Sequence, residues 1–149
     1  ICWSLVGSEM CIRDSKSRFA VPAARLGLGY GFDGVSRLSA LVGPSMVKEI
    51  FFTARQFAAQ EAYDMGLVNR VLPGHMLEAY VADYAKRIAE NAPMTMASVK
   101  AITADIQKAE TERDRAHIDA LVKACFDSED YTEGRRAFME KRKPQFKGR

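Results

Sequence analysis

The 149 residues include one tryptophan, two histidines and three cysteines. Each scarcity removes a class of protein. No window approaches the roughly 18 uninterrupted apolar residues that a membrane-spanning helix needs, so no membrane partner is expected. Cys2 and Cys11 lie near the start and Cys125 far from both, which provides neither a disulfide framework nor a CxxC pair and points to a reducing compartment. His75 and His117 form no HExxH or HxxxH pattern, so no metal site is expected. The sequence also lacks a nucleophile elbow, a Walker loop and an EF-hand loop.

What is present is ordinary for a water-soluble globular chain. Hydrophobic residues make up 48% and charged residues 28%, with a mean hydropathy of −0.19. That is too apolar for disorder and long enough to bury a core. The net charge of +3 is unevenly placed. Arg135, Arg136, Lys141, Arg142, Lys143, Lys147 and Arg149 stand against Glu140 alone, so the last fifteen residues carry +6 and the remainder −3. A basic end on an acidic body either meets phosphates or stays solvated.

Residues 1–15, ICWSLVGSEMCIRDS, show no sustained period of 2 or 3.6, and Ser4, Gly7, Ser8 and Glu9 interrupt any signal-peptide core. The segment reads as a translated adaptor joined to a truncated reading frame and is expected to stand outside the fold. Beyond it, Phe19 and Val21 alternate as a short strand limited by Pro22. Val35, Leu38, Leu41 and Val42 recur at helical spacing until Gly43-Pro44, where one helix ends and another begins with Met46, Val47, Ile50 and Phe51 inward. A segment from Gln60 to Met65 stops at Gly66, and Leu67 to Val71 forms a second strand closed by Pro73. Helices follow. Leu77, Tyr80, Val81, Tyr84, Ala85 and Ile88 make one apolar stripe. Met96, Val99, Ile102 and Ile106 make the next, and Ile118, Leu121, Val122 and Cys125 a third, after a capping box of Thr111 with Asp114. The last helix is expected from about Thr132 to Arg142, ended by Pro144. Two short strands are marginal alone and call for partners.

Gly29, Gly31 and Gly34 match the spacing of a dinucleotide-binding loop, but the strand, loop, helix and strand context is missing, and a glycine turn capping a helix fits better. Asp33 is either a catalytic acid or an N-cap. Phe138 and Lys141, three apart on the last helix, could stack a purine and meet a phosphate; equally, the ring could dock the helix while the ammonium reaches water.

Several strings, in order, resemble one family. They are Phe19-Ala-Val-Pro with Leu26-Gly27, Gly34-Val-Ser-Arg-Leu38, Val42-Gly43, Ile50-Phe-Phe-Thr53, Ala59-Gln-Glu-Ala62, Gly66-Leu-Val-Asn-Arg-Val-Leu-Pro73 and the run from Ser128 to Phe146. Residues 16–149 resemble the second half of a crotonase-superfamily protein, an enoyl-CoA hydratase/isomerase. The resemblance implies a helix-rich α/β fold, the C-terminal part of a ββα superhelix, with residues 16–73 in the core and 74–149 forming C-terminal helices that build homotrimers or hexamers and contact coenzyme A. It implies an acyl-CoA thioester substrate, with coenzyme A entering as part of that substrate rather than as a separate cofactor, in a bacterial cytoplasm or a mitochondrial matrix.

In this family two backbone amides hold the thioester oxygen as it becomes an enolate, and those amides and the first hydratase carboxylate belong to the half that precedes the matched strings. The chain alone is therefore expected to be inactive. The second hydratase carboxylate follows the proline of the strand, where this sequence has Ala23, which can neither activate water nor deliver a proton. Asp33 is a candidate substitute. The resemblance places Gly31 against the acyl group and Phe138 and Lys141 against the adenine and phosphate end of CoA. A silent CoA-binding relative is one rival reading. Nucleic-acid binding by the basic tail is another, without a sequence-reading element behind it.

Overall fold

The computed structural model describes residues 11–149. They divide into two compact units, one running up to Ala82 and the other from Asp83 to Arg149. The division falls inside the helix that spans residues 74–89.

The first unit contains β1 (Ile12–Asp14), β2 (Arg18–Phe19), α1 (Ala23–Leu26), α2 (Phe32–Thr53), β3 (Phe57–Ala58), α3 (Ala59–Asp64) and β4 (Arg70–Leu72), and begins α4 (Gly74–Ala89). β1 pairs in parallel with β4, with Arg13 opposite Val71, and β2 pairs antiparallel with β3, with Phe19 opposite Phe57. The two strands read from the sequence thus each acquire a partner. Of the segment expected to stand outside the fold, residues 1–10 lie outside the described residues. Residues 11–15 correct that expectation. Cys11 is buried, its amide donates to Asn69 Oδ1 at 2.8 Å, and Ser15 N donates to Leu72 O at 2.9 Å.

Glycine sets the course of the chain at two places. Gly43 interrupts α2 with φ 77° and ψ 159°, a region open to glycine alone, and Pro44 restarts the helix with its missing N–H at no cost. The break expected from the Gly-Pro pair is the one observed. Gly66 ends α3 at φ 80°, with its amide on Tyr63 O and that of Leu67 on Ala62 O, the paired bonds of a Schellman turn.

Phe19, Ile50, Phe57, Ala59, Ala62, Val68 and Cys11 form the core of this unit, ringed by half-buried apolar side chains that include Leu38 and Phe51. Arg55 fastens its rim. The guanidinium lies 3.7 Å above the Phe57 ring centre and bonds Glu49 at 2.9 Å and Glu61 at 2.8 Å. Glu61 in turn accepts the Ala58 amide at the start of α3, at 2.8 Å. That amide first, and Arg55 with it, hold the Glu61 carboxyl below the usual carboxylate range.

The second unit takes the rest of α4, then α5 (Pro93–Ile106), a 3-10 turn at Glu110–Glu112, α6 (Arg115–Asp127) and α7 (Glu129–Met139). The cap of α6 is Asp114, whose side chain accepts His117 N at 2.9 Å, rather than Thr111. Ser128 caps α7, accepting Tyr131 N at 3.0 Å. The apolar stripes are only partly covered. On α5 the residues turned fully inward are Ser98 and Asp105, whereas Val99 and Ile106 are more than half exposed. Cys125, expected in the core of α6, is half-buried.

Candidate functional site

In the first unit a cleft of about 830 Å³ opens over the core. Phe19, Ile50, Phe57 and Leu67 line its floor, and Gly29, Tyr30, Gly31 and Gly34 its mouth. The sequence builds that mouth simply. α1 closes at Gly27 (φ 64°), and the glycine-rich loop then caps α2 from Gly31, with no side chain in the way. A Cβ placed on Gly31 would meet nothing within 4 Å, so the backbone there faces open space that a ligand can approach. Tyr30 is fixed by an edge-to-face contact with Phe51, ring centres 4.9 Å apart, where it lines the cleft. The loop follows a short helix and not a strand, which disposes of the dinucleotide reading of its glycines.

Neither carboxylate question from the sequence is answered inside the cleft. Ala23 is buried, at 4% exposure, as the first residue of α1, and is not among the cleft-lining residues. Asp33 lies in the first turn of α2, exposed and also outside the lining. The N-cap there is Gly31, so Asp33 serves the helix through its dipole rather than as a cap. Among the described residues that line the cleft, the polar side chains are those of Arg18, Arg25, Tyr30 and Gln56, and none is a carboxylate, histidine or cysteine.

Phe138 and Lys141 belong to the second unit. Phe138 is 86% exposed on the last turn of α7. Lys141 does not share its helix face, because α7 stops at Met139 and not at Arg142. Glu140 is the C-cap, and Lys141 follows with φ 53°. Its amide donates to Phe138 O at 3.2 Å and that of Arg142 to Ala137 O at 3.0 Å, the same turn that ends α3, here with a lysine in the glycine position. The turn doubles the chain back, so the lysine emerges just past the ring's own carbonyl. Lys141 is exposed and has no ion pair among the described residues.

The basic tail is mostly neutralised within the unit. Glu133 binds Arg142 through Nη1 at 2.5 Å and Nη2 at 3.0 Å, Arg136 at 2.6 Å and the Gln145 amide at 3.0 Å. These donors, Arg142 first, hold its carboxyl far below the usual carboxylate range. Lys143 pairs with Glu90 and Arg149 with Glu129. Buried Asp130 accepts the amides of Lys147 and Gly148 at 2.7 and 2.8 Å. The i,i+3 spacing of Glu133 and Arg136 is legible in the sequence, but nothing there announces a contact between residues 133 and 142. No group of residues suited to a metal ion occurs among the described residues, and no described helix is long and apolar enough to cross a membrane.

Residues 6–149 match the model of the enoyl-CoA hydratase/isomerase family. The chain belongs to that family. Relatives include the methylmalonyl-CoA decarboxylase of Escherichia coli K12, 36% identical over 146 residues, 97% of this chain and 56% of that protein. Another is the short-chain-enoyl-CoA hydratase of Clostridium acetobutylicum, 36% identical over 150 residues, 99% of this chain and 57% of that protein. A crystal structure of an enoyl-CoA hydratase/carnithine racemase from Magnetospirillum magneticum aligns with a TM-score of 0.86 at 31% identity, over 95% of this chain and 52% of that one. The chain spans about half the length of the curated relatives it matches. As a member of the enoyl-CoA hydratase/isomerase family it has the helix-rich α/β fold that the resemblance implied.

Proposed function

We propose that this chain serves an enzyme acting on an acyl-CoA thioester, with the cleft of the first unit receiving the acyl group and Phe138 and Lys141 engaging the adenine and phosphate end of coenzyme A. The observation that carries this reading is the apolar cleft with an unobstructed glycine mouth, in a chain matched to one family over nearly its whole length. An apolar floor suits an acyl chain. A backbone without side chains at Gly31 lets the thioester approach closely.

Ala23 bears on the reaction class. Hydration needs one group to activate water and another to deliver a proton, and the alanine methyl at position 23 does neither. Chemistry that passes through a thioester enolate without adding water makes a smaller demand, since its main requirement is stabilisation of the developing oxyanion. Isomerisation of a double bond and loss of carbon dioxide from a malonyl-type thioester both belong to that class, and methylmalonyl-CoA decarboxylase is among the relatives. The enzyme is of the enoyl-CoA hydratase/isomerase type, a lyase or isomerase of fatty-acid or carboxylic-acid metabolism, and Ala23 counts against hydration as its reaction. Assembly as a homotrimer or hexamer, as the resemblance implies, belongs to the same proposal.

A second reading, a CoA-binding relative without catalysis, is favoured by the lack of carboxylate, histidine and cysteine among the cleft-lining residues. Nucleic-acid binding has little left to rest on, given how many tail cations are held by Glu133, Glu90 and Glu129. The experiment is calorimetric titration with CoA and crotonyl-CoA, followed by turnover assays of the full-length protein, with the preceding half restored, on crotonyl-CoA, a 3-enoyl-CoA and a malonyl-type thioester. The expected result is CoA binding without hydration of crotonyl-CoA. Binding with no turnover of any thioester would favour the silent relative; absence of CoA binding would overturn both readings.

A further inference from the structure

Lysine at a left-handed position needs a cause. α3 and α7 end in the same turn, yet α3 fills the critical position with Gly66 at φ 80° and α7 fills it with Lys141 at φ 53°. A Cβ disfavours that conformation, and glycine is the residue that usually takes it. The side chain at 141 is therefore retained against the preference of its own backbone. Such conformations persist where surrounding groups over-determine them, and they concentrate where ligands bind.

The surrounding group is Glu133. From within α7 its carboxylate takes both terminal nitrogens of Arg142, the residue immediately after Lys141, and also the backbone amide of Gln145. Two points of the chain just downstream of Lys141 are thus tied to one carboxylate. Arg136, on the same helix, supplies a third partner at 2.6 Å, and Glu140 takes Arg142 Nε at 2.5 Å from the other side of the turn. The Glu133 side chain is only 12% exposed, whereas Lys141 stands in solvent with no ion pair among the described residues. A nearly buried, fully bonded carboxylate that ties down the turn and an exposed, unpaired ammonium on that turn make a support and the group it presents.

We infer that Glu133 is a positioning residue for coenzyme A, locking the turn after α7 so that the Lys141 ammonium is held ready for a phosphate of the CoA nucleotide. This rests on the reading of Lys141 given above. Glu133 touches no ligand itself; it acts through Arg142 and the backbone. A purely structural role would instead show as lower stability, with every ligand affected alike.

The test compares CoA with dephospho-CoA, which lacks the 3′-phosphate, by calorimetry on the protein, on Lys141→Ala, on Glu133→Gln and on the double variant. Lys141→Ala is expected to weaken CoA by about tenfold, the size of a lost charge-assisted contact, with dephospho-CoA little changed. Glu133→Gln is expected to lose most of the same preference, and to add little in the Lys141→Ala background, because both act on one contact. Equal losses for the two ligands, no loss, or independent additive losses would overturn the inference about Glu133. If Lys141→Ala leaves the preference intact, the reading of Lys141 fails and the inference falls with it; if Lys141→Ala abolishes the preference and Glu133→Gln does not, the inference alone fails. Circular dichroism establishes that the variants are folded. Should Glu133→Gln not fold, Arg142→Gln, which removes the other half of the same clamp, is judged by the same ratio.

Discussion

Lys141 bears a backbone cost and a side-chain benefit at the same position, and the two can be separated. A left-handed residue with a Cβ gives up roughly 1–2 kcal/mol relative to glycine. Lys141→Gly is therefore expected to raise unfolding stability by roughly 1 kcal/mol in urea titration, after allowance for glycine's freer unfolded chain, while weakening CoA in calorimetry. A variant that loses stability would mean that the lysine stem, and not its ammonium, holds the turn. This position also marks the limit of what single residues disclose. The break at Gly43-Pro44 and the stop at Gly66 could be read in advance because glycine and proline have few other reasons to sit there. A lysine has many, so the end of α7 at Met139 was overrun by three residues. Gly31 is singled out by the family resemblance instead, and in the structure it is one of the residues lining the cleft.

Single elements obey local rules where their ends are chemical and depart from them where their ends are tertiary. Ser128 caps α7 as a serine before an acidic first turn should. The strands were harder to read. β3 has two residues and no period to detect, and β1 lies in a segment whose composition differs from the rest. The α7 clamp has a pH signature of its own. The Glu133 carboxyl titrates below its ordinary value of 4.5 in the folded chain, so the folded state binds fewer protons than the unfolded one once the pH drops toward that value. The contribution is complete above about pH 5 and fades as acid is added below it. Thermal unfolding followed between pH 6 and 3 is expected to fall more steeply for the natural protein than for Glu133→Gln, whose amide does not titrate. Parallel curves would show that Arg142 and Arg136 do not favour the ionised form as described.

For the whole molecule, the second unit exposes more apolar surface than a solitary helical unit usually does. Val99 and Ile106 on α5, Phe126 on α6 and Met139 on α7 are each more than half exposed, and α6 has no fully buried residue. Helical periodicity puts Val99 and Ile106 on an apolar stripe and passes over Phe126 and Met139; it does not say whether the chain's own core or another surface covers a stripe, because the pattern is the same in both cases. Sedimentation is expected to show a species larger than the monomer, a trimer or hexamer on the family resemblance, and Val99→Glu with Ile106→Glu is expected to shift it toward monomer with helicity retained. A monodisperse monomer at micromolar concentration would remove assembly from the proposal.

The hold of Asp130 on the end of the chain has a practical side. Both of its oxygens are occupied by the amides of Lys147 and Gly148, while its own amide donates to Arg149 O. Deletion of residues 147–149 would strip a buried carboxylate of two donors and an amide of its acceptor, an expensive vacancy in so small a unit. A variant without residues 147–149 would therefore be a different molecule in its thermal behaviour, even though Gly31, Phe138 and Lys141 remained intact.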